Sequence, residues 1–170
     1  NMYNRLINIL KRMSILKNVM DIINSSIIIF KYYLGININI QNERADPNDP
    51  KWTDDPWANV MRRRSDYAKR NSKDKNVLDL CCGTGWTTYE IAENAKSVVG
   101  IDYSDEAIEI AKKNYNKENI TYFKMDALNL EFESKTFDLV VSMEAIEHFT
   151  REDGHRFIKE VYRVLKDGGV

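Results

Sequence analysis

Cysteine is scarce: Cys81 and Cys82 are the only two in 170 residues, and they are adjacent. Neighbouring residues on an extended segment point to opposite faces, so neither a disulfide framework nor a CxxC metal knuckle is available. A reduced, cytoplasmic setting is therefore expected. Long apolar runs are missing too. The longest uncharged apolar stretch, Ile22 to Phe30, is broken by Asn24, Ser25 and Ser26. It falls far short of the roughly 20 residues a membrane-spanning helix needs. Neither sign of charge dominates, with 26 acidic against 25 basic side chains, so bulk attraction to nucleic acid is not indicated and no nucleic-acid partner is expected. What remains is 43% apolar and 30% charged, a globular composition of a length suited to one hydrophobic core.

The charge is nevertheless uneven. Arg5, Lys11, Arg12, Lys17 and Lys31 face a single acid, Asp21, within the first 34 residues. Leu6, Leu10, Met13, Leu16, Met20, Ile23, Ile27 and Phe30 recur there every three or four positions, so residues 1–35 read as a basic amphipathic helical segment ending near Gly35. Such a segment packs on its own domain or a partner, or makes weak contact with a membrane surface. No A-x-A-like site follows it, so a signal peptide is not expected. Residues 36–75 form a covering segment and a helix. All three prolines, Pro47, Pro50 and Pro56, fall within it, marking an irregular stretch. Trp52 and Trp57 there are expected to dock on the core or to close over a ligand. A helix from about Trp57 to Arg70 follows, with Arg62, Arg63 and Arg64 as a solvated face.

From Asn76 onward, short apolar runs alternate with helical patterns. Strands are expected at Val77–Leu80, Ser97–Ile101, Ile120–Lys124 and Phe137–Met143. Helices are expected at Trp86–Ala95, Asp105–Tyr115 and Arg151–Leu165. Ser104 is a natural N-cap with Asp105 and Glu106 at the positive end of the dipole, while Thr150 and Asp153 resemble a capping box. Phe157, Ile158, Val161, Val164 and Leu165 are expected to face inward. The run Leu139, Val140, Val141 suits a strand covered on both faces and central in its sheet. This alternation predicts an α/β fold, a doubly wound, Rossmann-like parallel sheet, with a helical segment at its N-terminal side. A fifth strand should begin at Val170. The sheet is thus expected to be truncated after the fourth strand and its helix, and the chain to be a fragment.

Chemistry concentrates in Val77 to Gly85, a strand running into a glycine turn that opens a helix. Gly83 and Gly85 permit a sharp turn and close approach of a ligand at the carboxyl end of the first strand. Seventeen positions after Gly85, the second strand ends in Asp102 and Tyr103, placing a carboxylate where a ribose diol would be gripped. A dinucleotide fold wants glycine or alanine where this chain has Thr88. Asp79, just ahead of the turn, would repel a pyrophosphate but suits a cationic amino group. S-adenosylmethionine carries such a group and no phosphate.

With these residues in view, the stretch from Asn76 to Val170 resembles a class I S-adenosylmethionine-dependent methyltransferase, of the type 11-like group that includes small-molecule and quinone-pathway enzymes. Val77–Gly85, Gly100–Ser104, Met125–Leu128, Phe137–His148 and Arg163–Gly169 match the family pattern in order. Cys81 stands where the family usually has a further glycine. The resemblance implies that Asp79, Gly83 and Gly85 surround the methionine end of the cofactor, with Cys81 in the same turn counted among the cofactor-binding residues mainly through its backbone. It gives the ribose hydroxyls to Asp102, Asp126 and Ala127 to the adenine, and Glu144 to the methionine moiety and substrate entrance, with Tyr103 also counted among the cofactor-binding residues. Residue chemistry alone also allows Asp79 to cap a helix and Asp126 to serve as a turn residue.

Glu144, Glu147 and His148 would share one face if they lay on a helical turn, a spacing able to hold a divalent cation. The pattern is similar to an E-x-x-E-H run that binds metal in some relatives. His148 is alternatively a candidate general base or a histidine satisfied by backbone. The expected activity is methyl transfer to an oxygen, nitrogen or carbon of a small-molecule acceptor, for which positioning suffices without a catalytic triad. The alternatives are a non-catalytic fragment of a methyltransferase fold and a nicotinamide-dependent oxidoreductase, the latter disfavoured by Thr88.

Overall fold

The computed structural model describes residues 56–170. The basic segment, the proline-bearing stretch and the lid expected of the Trp52 and Trp57 side chains lie outside what is described. The elements run α1 (Pro56–Asn71), β1 (Asn76–Leu80), α2 (Trp86–Ile91), β2 (Ser97–Asp102), α3 (Asp105–Asn114), β3 (Ile120–Lys124), β4 (Leu139–Ser142), a 3-10 turn (Ile146–His148) and α4 (Arg151–Val164). The strands pair in parallel in the order β3-β2-β1-β4, the Rossmann-like α/β arrangement that the alternation predicts.

Strand periodicity sorts the side chains into two layers. Val77, Val98, Ile120, Tyr122, Leu139 and Val141 meet α1, α2 and α3 through Ala68, Ile91, Ile108 and Ala111. On the other face Leu78, Leu80 and Ile101 meet Phe137, Phe157 and Val164. Leu78 and Leu80 are wholly buried, each stabilising the fold by roughly 1.5–3 kcal/mol. Local signals act where expected. The Ser104 hydroxyl accepts from the Ala107 N–H, and the Thr150 hydroxyl from the Asp153 N–H.

Several expectations need correction. β4 lies at one side of the four-strand sheet rather than at its centre, although Val140 N–H donates to the Val170 carbonyl along its outer side (2.8 Å). The strand is also shorter than expected, with Phe137 reduced to a bridge to Leu165. Ile158 is 53% exposed. The buried residues of α4 are Phe157 and Val164, with Val161 partly buried beside them, and Ile158 stands one helical step around from this stripe. Arg64 is not simply part of a solvated face, because its guanidinium pairs with Glu144.

The connection from β3 to β4 contains no helix. Its backbone is instead satisfied from α4. Arg163 donates to the carbonyls of Leu130 (2.7 Å) and Phe132 (2.6 Å), while Glu160 accepts from the Leu130 N–H (2.8 Å). Two side chains thus substitute for internal helical hydrogen bonds.

Candidate active site

The chain builds β1, β2 and β3 outward in one direction and then returns to place β4 on the other side of β1. Open α/β sheets bind ligands at such a switch point, beyond the carboxyl ends of the strands. Left-handed backbone gathers there. Cys81 (φ 59°), Gly83 (56°) and Gly85 (88°) follow β1, and Glu144 (53°) follows β4. Non-glycine residues adopt such angles only where their surroundings hold them.

Tyr122 packs beneath the glycine turn. Its hydroxyl lies 2.8 Å from the Tyr115 carbonyl and 3.3 Å from that of Gly85. A Cβ at Gly85 would sit 2.7 Å from both that hydroxyl and the Ala111 Cβ, and a Cβ at Gly100 would sit 2.8 Å from the ring. The two glycines therefore make room for one tyrosine on β3, a tertiary reason invisible in a linear motif. Cys82 N–H ties the turn to β2 through the Ile101 carbonyl (2.8 Å). Burial pushes the Cys81 thiol up to about 12 and the Cys82 thiol well above its ordinary value, so both remain protonated and unreactive near neutrality. Cys81→Gly is expected to shift the melting temperature by no more than a few degrees. Relief of the left-handed backbone, worth about 1 kcal/mol, offsets the lost packing. Cys81→Val, β-branched at the same angle, should lower stability by roughly 2 kcal/mol in thermal unfolding.

Asp79 is 2% exposed and accepts a 2.7 Å hydrogen bond from the Thr88 hydroxyl. Burial raises its carboxyl to about 7, with the Thr88 hydrogen bond opposing and the Asp102 charge adding to the rise. Thr88 is fully buried. The position where a dinucleotide fold needs glycine is thus filled by a hydroxyl that serves Asp79. Sequence reasoning used Thr88 only to exclude a cofactor and missed this partnership. The Asp102 carboxylate is held by two backbone donors, Gly83 N–H to Oδ2 (3.0 Å) and Ser104 N–H to Oδ1 (2.9 Å). Each carboxylate oxygen has a further lone pair, so a vicinal diol fits the pair of oxygens. Tyr103 beside it is 76% exposed. Asp126 does act as a turn residue, since Oδ1 accepts from the Leu128 N–H (2.9 Å). The carboxylate is exposed, whereas Ala127 is buried.

Beyond β4, Glu144 does not share a helical turn with Glu147 and His148, the condition on which a metal site at these three residues depended. Its left-handed backbone breaks the turn, and the 3-10 segment begins at Ile146. Glu144, Glu147 and His148 therefore do not assemble as three ligands, and among the described residues no group of three His, Cys, Asp or Glu is placed to hold a metal ion. His148 is exposed, with its backbone N–H donating to the Ala145 carbonyl (3.0 Å).

Residues 77–169 match the family described as "Methyltransferase domain". That match spans the glycine turn, Asp102, Asp126 and Glu144 in one stretch. The chain belongs to the class I S-adenosylmethionine-dependent methyltransferases. It is 36% identical over 122 residues to demethylmenaquinone methyltransferase of Lactococcus lactis, covering 68% of this chain and 46% of that enzyme. Among solved structures, the PH0226 protein of Pyrococcus horikoshii superposes with a TM-score of 0.64 at 30% identity, covering 77% of this chain and 61% of that one. An S-adenosylmethionine dependent methyltransferase from Mesorhizobium loti superposes with a TM-score of 0.55 at 27% identity, over 62% and 50% of the two chains. The chain spans about half the length of the curated relatives it matches. No helix among the described residues of this methyltransferase chain is long and apolar enough to cross a membrane.

Proposed function

We propose that the protein transfers a methyl group from S-adenosylmethionine to an oxygen, nitrogen or carbon of a small-molecule acceptor. The observation that carries this reading is the Asp102 carboxylate. It is fixed at the end of β2 by the Gly83 and Ser104 N–H groups and oriented to accept both hydroxyls of a ribose. Tyr103 offers an exposed ring beside it, and the exposed Asp126 carboxylate would accept from an adenine amino group next to the backbone of Ala127. Gly83, Gly85 and Cys81 shape the wall around the amino-acid end. Asp79 and Glu144 supply negative charge toward its ammonium group.

Bound S-adenosylmethionine supplies a methyl group already activated by the sulfonium charge. The protein's task is therefore to aim and to exclude water. Holding donor and acceptor at near-attack distance is worth roughly 7–11 kcal/mol, more than the 10²–10⁴-fold typical of one general base. His148 is the candidate base where the acceptor is a hydroxyl. The quinone-pathway relative makes electron-rich aromatic rings the first acceptors to screen, in a cytoplasmic setting.

Calorimetric titration with S-adenosylhomocysteine tests the cofactor assignment, with NADH alongside. Micromolar binding is expected for the nucleoside and none for NADH. Asp102→Ala should weaken it about a hundredfold, the loss of two hydrogen bonds to a charged group at about 1.5 kcal/mol each. A folded wild type that ignores S-adenosylhomocysteine, or prefers NADH, would overturn the proposal.

A further inference from the structure

Glu144 combines two unusual features: a left-handed backbone without being glycine, and an ion pair to Arg64, which comes from α1 on a different part of the fold. It stands two residues beyond the β1–β4 pair Leu80–Ser142, level with the start of the glycine turn at the switch point. Residues held in unfavourable backbone regions persist only where their surroundings fix them, and they gather at ligand sites. α1 is itself well anchored. Ala58, Met61, Ser65 and Ala68 form its buried stripe, and Lys69 in its last turn pairs with Glu90 and Glu93. Its guanidinium therefore projects from a fixed support.

We propose that Arg64 is a positioning residue for methyl transfer: from α1 it holds the Glu144 carboxylate, and with it the loop after β4, at the cofactor side of the switch point. This rests on the cofactor reading above. Arg64 meets the Glu144 carboxylate from the helix side, on the stretch that follows β4 at the switch point. A planar guanidinium fixes both the distance and the orientation of a carboxylate, which a flexible ammonium does less well. The partial exposure of both side chains, 28% and 31%, limits what the pair adds to overall stability. Its effect should therefore fall on the ligand site more than on the fold.

The test measures S-adenosylhomocysteine affinity and melting temperature together for wild type, Arg64→Gln, Arg64→Lys, Glu144→Gln and the Arg64→Gln, Glu144→Gln double variant. Arg64→Gln is expected to weaken binding about tenfold with a melting temperature within about 3 °C of wild type. Glu144→Gln should weaken it similarly, the double variant no further than the worse single one, and Arg64→Lys should recover part of the loss. Unchanged or tighter binding by Arg64→Gln overturns the proposal, as does a fall in melting temperature with affinity intact, or strictly additive losses. Failure of the wild type itself to bind would overturn the cofactor reading along with it, whereas normal wild-type binding with indifferent variants overturns the role of Arg64 alone.

Discussion

Between pH 4 and pH 8 the protein is expected to lose up to about 4 kcal/mol of folding free energy relative to its Asp79→Asn variant. Asp79 titrates near 3.8 when unfolded and near 7 in the native state, so folding takes up a proton between those values. Stability attributable to this group is intact below about pH 4, falls as pH rises toward 7 and stays lower beyond it, because the unfolded chain then binds fewer protons than the native one. A gap of about three units sets the magnitude at roughly 1.4 kcal/mol per unit. Asparagine keeps an acceptor for the Thr88 hydroxyl but carries no charge to desolvate. Denaturant unfolding of both proteins across this range should give curves that diverge from pH 4 to 7 and then run parallel. Curves parallel throughout would mean that Asp79 is not buried as described. The cost has a counterpart in binding. The ionised form that weakens the fold is the form that attracts an ammonium group, so S-adenosylhomocysteine affinity should rise from pH 6 to 8 in the wild type and remain flat in the variant.

Alanine at Gly85 and alanine at Gly100 are both expected to be severe, and for separable reasons. At Gly100 the obstacle is space alone, the Tyr122 ring 2.8 Å from the new Cβ. At Gly85 a φ of 88° adds backbone strain to contacts of 2.7 Å with the Tyr122 hydroxyl and the Ala111 Cβ. Overpacking costs about 1–3 kcal/mol and a left-handed non-glycine residue about 1–2 more. Gly85→Ala should therefore lose on the order of 4 kcal/mol and Gly100→Ala about 2. A double-mutant cycle with Tyr122→Leu separates the causes. Shortening the tyrosine should recover at least about 1 kcal/mol at each glycine, and the loss that remains should be larger at Gly85, where the strain and the Ala111 contact persist. Equal residual losses at both sites would show that neither strain nor the Ala111 contact matters at the turn, and no recovery at either would show that Tyr122 is not the obstacle.

Features carried by neighbours in sequence were legible without coordinates. β3 spans Ile120–Lys124 as its alternation predicts, Ser104 and Thr150 cap the helices they precede, and the glycine turn follows β1 with Asp102 closing β2. What escaped depends on pairs far apart in the chain. Nothing near Gly85 or Gly100 reveals that both accommodate Tyr122, and Thr88 gains its meaning only when α2 folds back over Asp79. Arg64 read as one of three solvated arginines because its partner lies eighty residues on. Helical periodicity placed Ile158 inward only because the apolar stripe of α4 was read one position too wide. Whether Glu144 shared a helical turn with Glu147 and His148 stayed open in the sequence, because spacing carries no information about backbone handedness.

The position of the site between β1 and β4 also bears on the order in which the molecule assembles. Asn76 on β1 and Ser97 on β2 are 21 residues apart, whereas Asn76 and Asp138, beside β4, are 62 apart. Loop-closure entropy grows with that separation, so the nearer pairing is favoured to form first and the distant one to follow. Half of the proposed cofactor crevice therefore comes into being only with the most distant strand pairing among the described residues. A nascent chain that has joined β1 to β2 already possesses its glycine turn and Asp102, yet it lacks Glu144 until β4 arrives. Cofactor affinity gained during refolding should thus report the pairing of β4 with β1, arriving after the helical signal rather than with it.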